Sequence, residues 1–234
     1  MPSVSLVIAA YNEAGSLANV FQRCLEVLQD CTDDYEVIIL DDGSTDDTLA
    51  VAHALRDNHA GFVRVLEHQQ NQGIRVTFEE LYHDAAKDYV FDVPGDGEFP
   101  PEVLREIMPM LKEYDVVICN RVFRNYTAYR KLVSFFYRWL PRLLFRVDLQ
   151  DPGSIKCRRR EVVQDIQVQS RSVFAEAERM IRAARRGYRI GTVDIEPERR
   201  VAGRARGASW KNVLGSLRDL LCLWLRLVIL RQKP

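Results

Sequence analysis

Short apolar segments alternate with amphipathic segments through the first half of the chain, and this alternation restricts the fold more than any other feature. Runs rich in β-branched residues predict strands at residues 3–10, 35–40, 62–68, 88–93 and 115–120. Apolar residues at helical spacing predict helices between them, at residues 13–30, 44–55, 76–87 and 100–114. This order predicts an α/β fold, with a mainly parallel sheet and helices on both faces.

The second half differs in composition. An aromatic and basic segment, broken by Pro141, is followed by a turn and a basic cluster at residues 151–160. A helix at 172–187, a strand at 188–195, an arginine-containing loop at 196–209 and an apolar helix at 210–230 follow. The sequence contains neither a repeat nor a clear linker. We therefore predict one domain over residues 1–208, with residues 209–234 as an amphipathic, membrane-associating extension.

The zero net charge conceals an asymmetry between the two halves. Residues 1–117 contain 7 Lys or Arg and 23 Asp or Glu, a balance of 7 − 23 = −16, and residues 118–234 contain 26 and 10, a balance of +16. An acidic half suits a bound cation, and a basic half suits phosphates or an anionic surface. The alternative is that the two halves simply attract each other.

The five cysteines lack paired spacing and no signal peptide is recognised, so we expect reduced thiols and a cytosolic location.

Polar clusters follow the first, second and fourth predicted strands, where ligands bind in open parallel sheets. After the second strand, Asp41 and Asp42 are suited to accept hydrogen bonds from a base or from ribose hydroxyls. Ser44 and Asp47 fit a capping box that starts the next helix. An Asx-turn with a helix cap explains Ser44 and Asp47 equally well, but not the two adjacent carboxylates.

Three segments, at residues 5–17, 35–48 and 95–102, together resemble the family 2 inverting glycosyltransferases of GT-A fold, which is Rossmann-like. Shorter segments at 120–121, 129–134, 151–156, 174–178 and 204–209 are similar to the dolichyl-phosphate mannosyltransferase and polyprenyl-phosphate glycosyltransferase branch. The resemblance implies a hexosyltransferase that uses a GDP- or UDP-sugar and a polyprenyl or dolichyl phosphate. It also implies that residues 1–120 bind the nucleotide-sugar and residues 121–208 the acceptor.

The resemblance implies specific donor and metal residues. The donor nucleotide is assigned to Ala10, Tyr11, Glu13, Asp41, Asp42, Gly95 and Asp96. Mg²⁺ or Mn²⁺ on the donor diphosphate is assigned to Asp96 and Glu98, with Pro94 in place of the first aspartate of the family motif. Asp92 lies about 13 Å away along an extended strand, too far to compensate unless the chain folds back. Mg²⁺ tolerates this loss, because it commonly takes one or two carboxylates. The alternative is a solvated acidic turn at a helix start.

The acceptor residues also come from the resemblance. Arg121, Arg130 and Ser134 match positions that hold the lipid phosphate, and with Asp96 they form the predicted catalytic set. Arg204 and Ser209, with Arg200, are expected to complete the phosphate clamp or to cover the diphosphate on a loop made mobile by Gly203 and Gly207. For Glu176 three roles stay open: a sugar contact, orientation of an arginine, or a helical ion pair with Arg179 or Arg182.

The C-terminal region raises a membrane hypothesis. Residues 213–230 are mostly Leu, Val and Ile, but Arg218, Asp219 and Arg226 interrupt them, so we predict an interfacial helix rather than a span. Trp210 and Trp224 suit that depth, and residues 135–146 offer a second docking surface. Association with the inner face of the membrane is therefore expected. Core or oligomer helices are the alternative.

Other functions stay open at this stage. A hydroxyl acceptor would require a general base, for which Asp92, Glu98 and Glu176 are the candidates. Pro94 makes a catalytically weak, nucleotide-sugar-binding relative a further possibility, and Arg75 and Glu80 depart from the family pattern beside the donor. A nucleic-acid-binding module is disfavoured, because the arginines fall within the matched segments.

Overall fold

The described part of the chain contains a seven-stranded sheet. The computed structural model describes residues 1–122, 139–198 and 210–234. The strands are β1 (Val4–Ala10), β2 (Tyr35–Asp41), β3 (Val63–Glu67), β4 (Tyr89–Pro94), β5 (Val116–Arg121), β6 (Lys156–Arg159) and β7 (Ile190–Ile195). Their order is β3-β2-β1-β4-β6-β5-β7, with β6 antiparallel to both β4 and β5 and the other pairings parallel. The predicted α/β fold with a mainly parallel sheet is confirmed.

Helices cover both faces of the sheet, because successive residues of a strand point to opposite sides. They are α1 (Leu17–Cys31), α2 (Thr48–Asn58), α3 (Ile74–Asp84), α4 (Leu104–Met110), α5 (Arg160–Gln164), α6 (Ala175–Arg185) and α7 (Trp210–Trp224). Leu6 and Ile8 of β1 pack in the cluster that contains α1 and α4. Val7, between them, packs in the opposite cluster with residues of α3 and α5.

A further apolar cluster lies at the β5 end of the sheet. Val116 and Ile118 pack there with residues of α6, with the helical residues 139–145 and with one face of α7. A π-helical turn, Leu225–Ile229, continues α7 and adds Leu227 to the cluster. The C-terminal helix is thus packed on the domain along one side. Within the three described ranges, no helix is both long enough and apolar enough to cross a bilayer.

One strand was not predicted, and one local prediction is wrong. Residues 156–159, predicted as part of a basic cluster after a turn, form strand β6, because carboxylates from distant elements neutralise Lys156 and Arg158 inside the fold. The capping box at Ser44 and Asp47 does not form. The Ser44 hydroxyl donates to Asp41 at 2.5 Å, and Asp47 precedes α2 without a side-chain cap bond. Asp46 instead accepts from the Thr48 amide at 3.0 Å.

The strand directions decide where a ligand can bind. Since β4 and β5 both run antiparallel to β6, they run parallel to each other. The carboxyl ends of β1, β2, β3, β4, β5 and β7 therefore meet at one edge of the sheet, together with the start of β6. This is the edge at which open α/β sheets bind ligands.

Candidate active site

The loops after β1 and β2 are locked together at this edge. Asn12 lies in the left-handed region at φ 57°. Its backbone N–H donates to the Ser44 hydroxyl at 2.9 Å, and its side-chain oxygen accepts from the Thr45 backbone N–H at 2.8 Å. The Glu13 amide donates to the Thr48 hydroxyl at 2.8 Å. Asn12 is not among the predicted site residues, although it lies between Tyr11 and Glu13. Its amide side chain, able to donate and accept in a polar loop, is the signal that could have identified it.

The loop after β4 lies against the end of β1. The Ser16 hydroxyl donates to the Gly95 carbonyl at 2.7 Å, and the Gly95 amide donates to the Ala9 carbonyl at 2.9 Å. A Cβ atom at position 95 would lie 3.3 Å from the Ala9 carbonyl oxygen and 3.4 Å from the Ala10 Cβ, so glycine permits this close approach. The structure thus brings together Ala10, Tyr11, Glu13 and Gly95, four of the predicted donor residues.

Asp41 and Asp42 are both buried, and both have protein partners. Asp41 accepts from the amide and the hydroxyl of Ser44 at 3.0 and 2.5 Å, which uses two of the four acceptor sites of a carboxylate. Asp42 accepts four hydrogen bonds from residues of the loop that follows β3, and these occupy all four of its sites. Asp41 therefore retains acceptor capacity for a ligand, whereas Asp42 holds a loop in place.

The turn after β4, residues 95–98, contains the two predicted metal ligands, and we call it the metal turn after that prediction. Asp96 is 7% exposed and accepts from the Glu98 amide at 3.0 Å, with Gly97 between them at φ 71°. Across the described ranges, no three His, Cys, Asp or Glu side chains are grouped so as to hold a metal ion. Two carboxylates on one turn fit a cation that takes its other ligands from a diphosphate and from water, and do not form a complete protein site.

Asp92 does not join this turn. The strand stays extended through Pro94, whose register partner is Ala9, and the Asp92 carboxylate bonds to Arg158 at 2.8 Å. Asp92 is therefore tied to Arg158 on the strand. Asp92 cannot replace the aspartate that Pro94 displaces from the metal motif.

Arg121, at the end of β5, is held beside the metal turn. Its Nε and one terminal nitrogen donate to the two carboxylate oxygens of Asp151 at 2.6 and 2.7 Å. The guanidinium also lies over the ring of Phe99, 5.7 Å from the ring centroid, next to Glu98. Asp151 was not predicted as a site residue, although it lies in the matched segment 151–156 and has a positive φ of 41°. The other predicted acceptor residues, Arg130, Ser134, Arg200, Arg204 and Ser209, lie outside the described residues, as does the side chain of Trp210.

The segment after β7 also reaches the metal turn. The Glu198 amide donates to the Glu98 carbonyl at 2.8 Å. Arg23 of α1 pairs with Glu198 at 2.6 Å and with Glu102 at 2.7 Å. Glu198, the last described residue before residues 199–209, therefore lies beside Glu98.

A network of buried charges lies on the α3 side of the sheet. Arg158 of β6, fully buried, donates to Asp92 at 2.8 Å and to Glu176 at 2.6 Å, and Lys156 donates to Glu176 at 3.2 Å. The guanidinium of Arg158 also lies 4.4 Å from the ring centroid of Tyr82. The pair of Arg158 and Asp92 joins the basic half of the sequence to the acidic half inside the fold. Part of the charge asymmetry is thus neutralised by buried ion pairs.

Glu176, for which the sequence left three roles open, forms ion pairs with Lys156, Arg158 and Arg179. Burial alone would raise its pKa, but the charges of Arg158, Lys156 and Arg179 lower the pKa well below its ordinary value. Arg179 lies 3.4 Å away at helical spacing, whereas Arg182 pairs with Glu178 at 2.7 Å. Glu176 is therefore a carboxylate committed to cations at neutral pH. Burial raises the pKa of Asp92 above its ordinary value, although Arg158 and Lys156 oppose that rise.

Comparison with known proteins agrees with this geometry. The family model described as glycosyl transferase family 2 matches residues 5–166. A dolichol-phosphate mannosyltransferase of Pyrococcus furiosus is 28% identical over 174 residues, which cover 70% of this chain and 48% of that protein. An undecaprenyl-phosphate 4-deoxy-4-formamido-L-arabinose transferase of Proteus mirabilis is 32% identical over 135 residues, which cover 56% of this chain and 40% of that protein.

Solved structures show the same fold. A mannosyltransferase from Pyrobaculum calidifontis, in complex with GDP-mannose and Mn²⁺, has a TM-score of 0.69 at 16% identity, covering 96% of this chain and 64% of that one. Glucosyl-3-phosphoglycerate synthase from Mycobacterium tuberculosis, in complex with Mn²⁺, UDP and phosphoglyceric acid, has a TM-score of 0.68 at 19% identity, covering 96% and 78%. The predicted GT-A fold is confirmed. The match spans between 40% and 65% of the length of the curated relatives. The chain belongs to glycosyltransferase family 2.

Proposed function

We propose that the chain is an inverting glycosyltransferase that moves a hexose from a nucleotide-diphospho-sugar to a polyprenyl phosphate at the cytoplasmic face of the membrane. Family membership and relatives named for dolichol phosphate and undecaprenyl phosphate support this activity. One observation carries the choice of acceptor. Asp92 and Glu176, two of the three candidate general bases, are both ion-paired with Arg158.

The donor is assigned to the edge formed by the ends of β1, β2 and β4. Asp41 retains acceptor sites for a base or a ribose hydroxyl, and Ala10, Tyr11 and Gly95 form the adjoining surface. Asp96 and Glu98 would hold Mg²⁺ or Mn²⁺, and such a cation would neutralise the negative charge of the departing diphosphate. The fold neighbours that contain Mn²⁺ with UDP or GDP-mannose support this assignment.

A phosphate acceptor removes the need for a general base. A phosphate monoester has its second pKa near ~6, so its oxygen is ionised at neutral pH. That oxygen attacks the anomeric carbon from the side opposite the nucleoside diphosphate. The new carbon–oxygen bond forms as the bond to the diphosphate breaks, and the configuration inverts without removal of a proton. A hydroxyl acceptor would require a base, and the third candidate, Glu98, lies on the metal turn.

Arg121 is placed to position the acceptor phosphate. Asp151 fixes two of its nitrogens, and the guanidinium lies next to the metal turn above Phe99. A guanidinium held in this way has little side-chain entropy left to lose when it binds an anion. We assign the phosphate to Arg121 together with Arg130, Ser134, Arg204 and Ser209.

We assign the membrane contact to the outer face of α7 and its continuation. One face of this helix is buried in the core, yet the opposite face is also apolar. The exposed fractions of Leu214, Leu217, Leu221, Leu225 and Ile229 are 64%, 42%, 54%, 48% and 54%. Trp139 and Leu143 are likewise exposed, and Arg146 and Arg218 are exposed cations. Apolar side chains flanked by cations suit an anionic bilayer, where each basic residue contributes about 1 kcal/mol.

The acceptor assay separates the alternatives directly. The full chain is incubated with Mn²⁺ and labelled GDP- or UDP-sugars, with a polyprenyl phosphate, the matching polyprenol, or phosphoglycerate as acceptor. We expect label in the organic phase with the polyprenyl phosphate alone. Label transferred to the polyprenol or to phosphoglycerate would overturn the proposed acceptor. Failure with every acceptor and donor would overturn the activity itself.

The donor site has its own test. Thermal unfolding is followed with UDP, GDP or ADP, with and without Mn²⁺, for the native chain and Asp96→Asn. A ligand at about 100 times its Kd stabilises a protein by about 2.7 kcal/mol. We expect one nucleotide to raise the Tm in the presence of Mn²⁺, and Asp96→Asn to lose that metal-dependent part. An equal shift in Asp96→Asn would contradict the metal site.

A further inference from the structure

His68, the first residue after β3, is held between two carboxylates. It is 9% exposed, with its Nδ1 2.7 Å from Asp42 and its Nε2 3.0 Å from Glu80 of α3. A neutral imidazole carries one N–H, so both contacts are donated hydrogen bonds only when the ring is an imidazolium. Burial alone would lower the pKa of His68, but the bonds to Asp42 and Glu80 raise that pKa above its ordinary value.

Asp42 connects this histidine to a whole loop. Besides His68, it accepts from the Asn71 side chain at 3.0 Å, the Gln72 amide at 2.7 Å and the Gly73 amide at 2.9 Å. Gly73, at φ 89°, directly precedes α3. One carboxylate therefore fixes the loop 68–73 from its first residue to its last.

The same loop is interlocked with the one after β2. The His68 amide donates to the Asp41 carbonyl at 2.9 Å. Gly43 lies so close to the loop that a Cβ there would be 2.5 Å from the Gln70 carbonyl carbon. Any shift of loop 68–73 therefore moves the surroundings of Asp41, the carboxylate with acceptor sites left for the donor.

The surface beside the ring forms a half-open depression. A cavity of about 500 Å³ is lined by His68, Glu67, Gln69, Gln70 and Gln72. Its lining supplies amide donors and acceptors. Glu67, on the same strand, lies 3.6 Å from His53 of α2, so the carboxylates that act on His68 are Asp42 and Glu80.

We propose that His68 and Glu80 are positioning residues for the nucleoside end of the donor site, and that nucleotide affinity falls when His68 loses its proton. This inference rests on the proposed use of a nucleotide donor. In the protonated state the ring holds Asp42, Asp42 holds loop 68–73, and the loop supports Asp41. Since the folded protein favours the charged ring, its contribution is fully present below the ordinary histidine pKa of about 6.5. It is lost as the pH rises through the higher pKa of the folded state.

The binding test uses variants that separate position from charge. The Kd of UDP and of GDP with Mn²⁺ is measured by calorimetry between about pH 6 and about pH 9 for the native chain, His68→Gln and Glu80→Gln. His53→Gln is the matched control, because His53 also faces a carboxylate at this sheet edge but is 37% exposed. Comparison with His68→Gln at each pH removes the titration of the nucleotide itself.

The expected results are distinct for each variant. Native affinity falls about tenfold across this range, which is a loss of about 1.4 kcal/mol of binding free energy. His68→Gln binds weakly throughout and loses this dependence. Glu80→Gln keeps tight binding at the acid end, but its midpoint moves to lower pH. His53→Gln follows the native chain. A native affinity with the same pH profile as His68→Gln, or equal binding by both near pH 6, would overturn the proposal.

A readout without nucleotide keeps this inference distinct from the proposed function. The His68 ring is titrated by NMR, and hydrogen exchange is measured at the Gln72 and Gly73 amides. We expect the protection of both amides, relative to intrinsic exchange at the same pH, to be lower in His68→Gln, and lower in the native chain above the His68 midpoint. Protection unaffected by either change would overturn the role of His68, whereas absence of nucleotide binding with these changes present would overturn the donor alone.

Discussion

Arg158 of β6 and Asp92 of β4 form an ion pair at 2.8 Å, with side chains that are 0% and 6% exposed. Glu176 of α6 approaches the same guanidinium at 2.6 Å. The two carboxylates come from elements more than 80 residues apart in sequence, and each meets the strand that joins the parallel part of the sheet to β5. Burial of so many charges is tolerated only because each has a partner, so loss of one partner should be costly.

Removal of the Asp92 charge should destabilise the fold. Asp92→Asn keeps the volume but leaves the buried Arg158 with one carboxylate, and this loss should outweigh the burial cost that raises the pKa of Asp92. We expect a loss of about 3 kcal/mol in the free energy of unfolding, measured by urea denaturation. Asp30→Asn is the control, because Asp30 pairs with Arg105 at 2.6 Å but is 59% exposed. It should cost about 1 kcal/mol or less. Equal stability of the two variants would contradict a structural role for the buried pair.

Glu176 gives a prediction with a defined pH dependence. Its pKa is lowered in the folded state, so its stabilising contribution is complete above the unfolded pKa of about 4.3 and disappears as the pH falls through the folded pKa. Glu176→Gln should therefore cost about 3 kcal/mol near neutral pH, with a difference from the native chain that shrinks below about pH 4.3.

Urea titrations at several pH values between neutral and acid check this result. Glu161→Gln serves as the control, because Glu161 is exposed on α5 and the substitution is the same. Its effect should be small at every pH. A Glu176→Gln deficit that stays constant or grows towards acid pH would show that the charge of Glu176 does not stabilise the fold.

The parallel half of the fold was predictable from sequence, because its strands bury both faces and its helices bury one. β6 was not, since Lys156 and Arg158 read as solvated charges until Glu176 and Asp92 are known to lie beside them. Those partners lie on a helix and on a strand far away in sequence. Neither periodicity nor residue type carries information on such pairing.

The candidate site was predictable in position but not in the use of each side chain. The rule that ligands bind at the carboxyl ends of strands placed Asp41, Asp42, Asp96 and Glu98 correctly at one edge. The sequence did not distinguish Asp41 from Asp42, because the four donors that occupy Asp42 belong to the next loop. Asp151 was missed for the same reason, since its partner Arg121 lies 30 residues earlier.

Asp151 should control the acceptor through Arg121. Asp151→Asn removes the charge that fixes the guanidinium, and we expect kcat/KM for the lipid phosphate to fall about 100-fold, because small misplacements of a positioning group have effects of that size. The Kd of the nucleotide donor should stay unchanged. Asp148→Asn is the control, because Asp148 is exposed and lies 3.7 Å from Arg142. Equal losses in donor and acceptor binding would indicate general damage to the site and contradict this role.

The exposed face of α7 should determine membrane binding. Leu221 is 54% exposed, so Leu221→Glu should leave the Tm unchanged, while it places a charge where a bilayer would cover a leucine. Burial of a leucine side chain contributes about 2 kcal/mol, so partition into vesicles of phosphatidylglycerol should fall at least about tenfold. The native chain should also bind these vesicles less tightly at high salt, because salt screens the attraction between Arg146 and Arg218 and the anionic lipid.

Ile74→Glu on α3 is the matched control, because Ile74 is 53% exposed and does not lie on the exposed face of α7. Equal vesicle binding by both variants and the native chain would show that α7 does not contact the membrane.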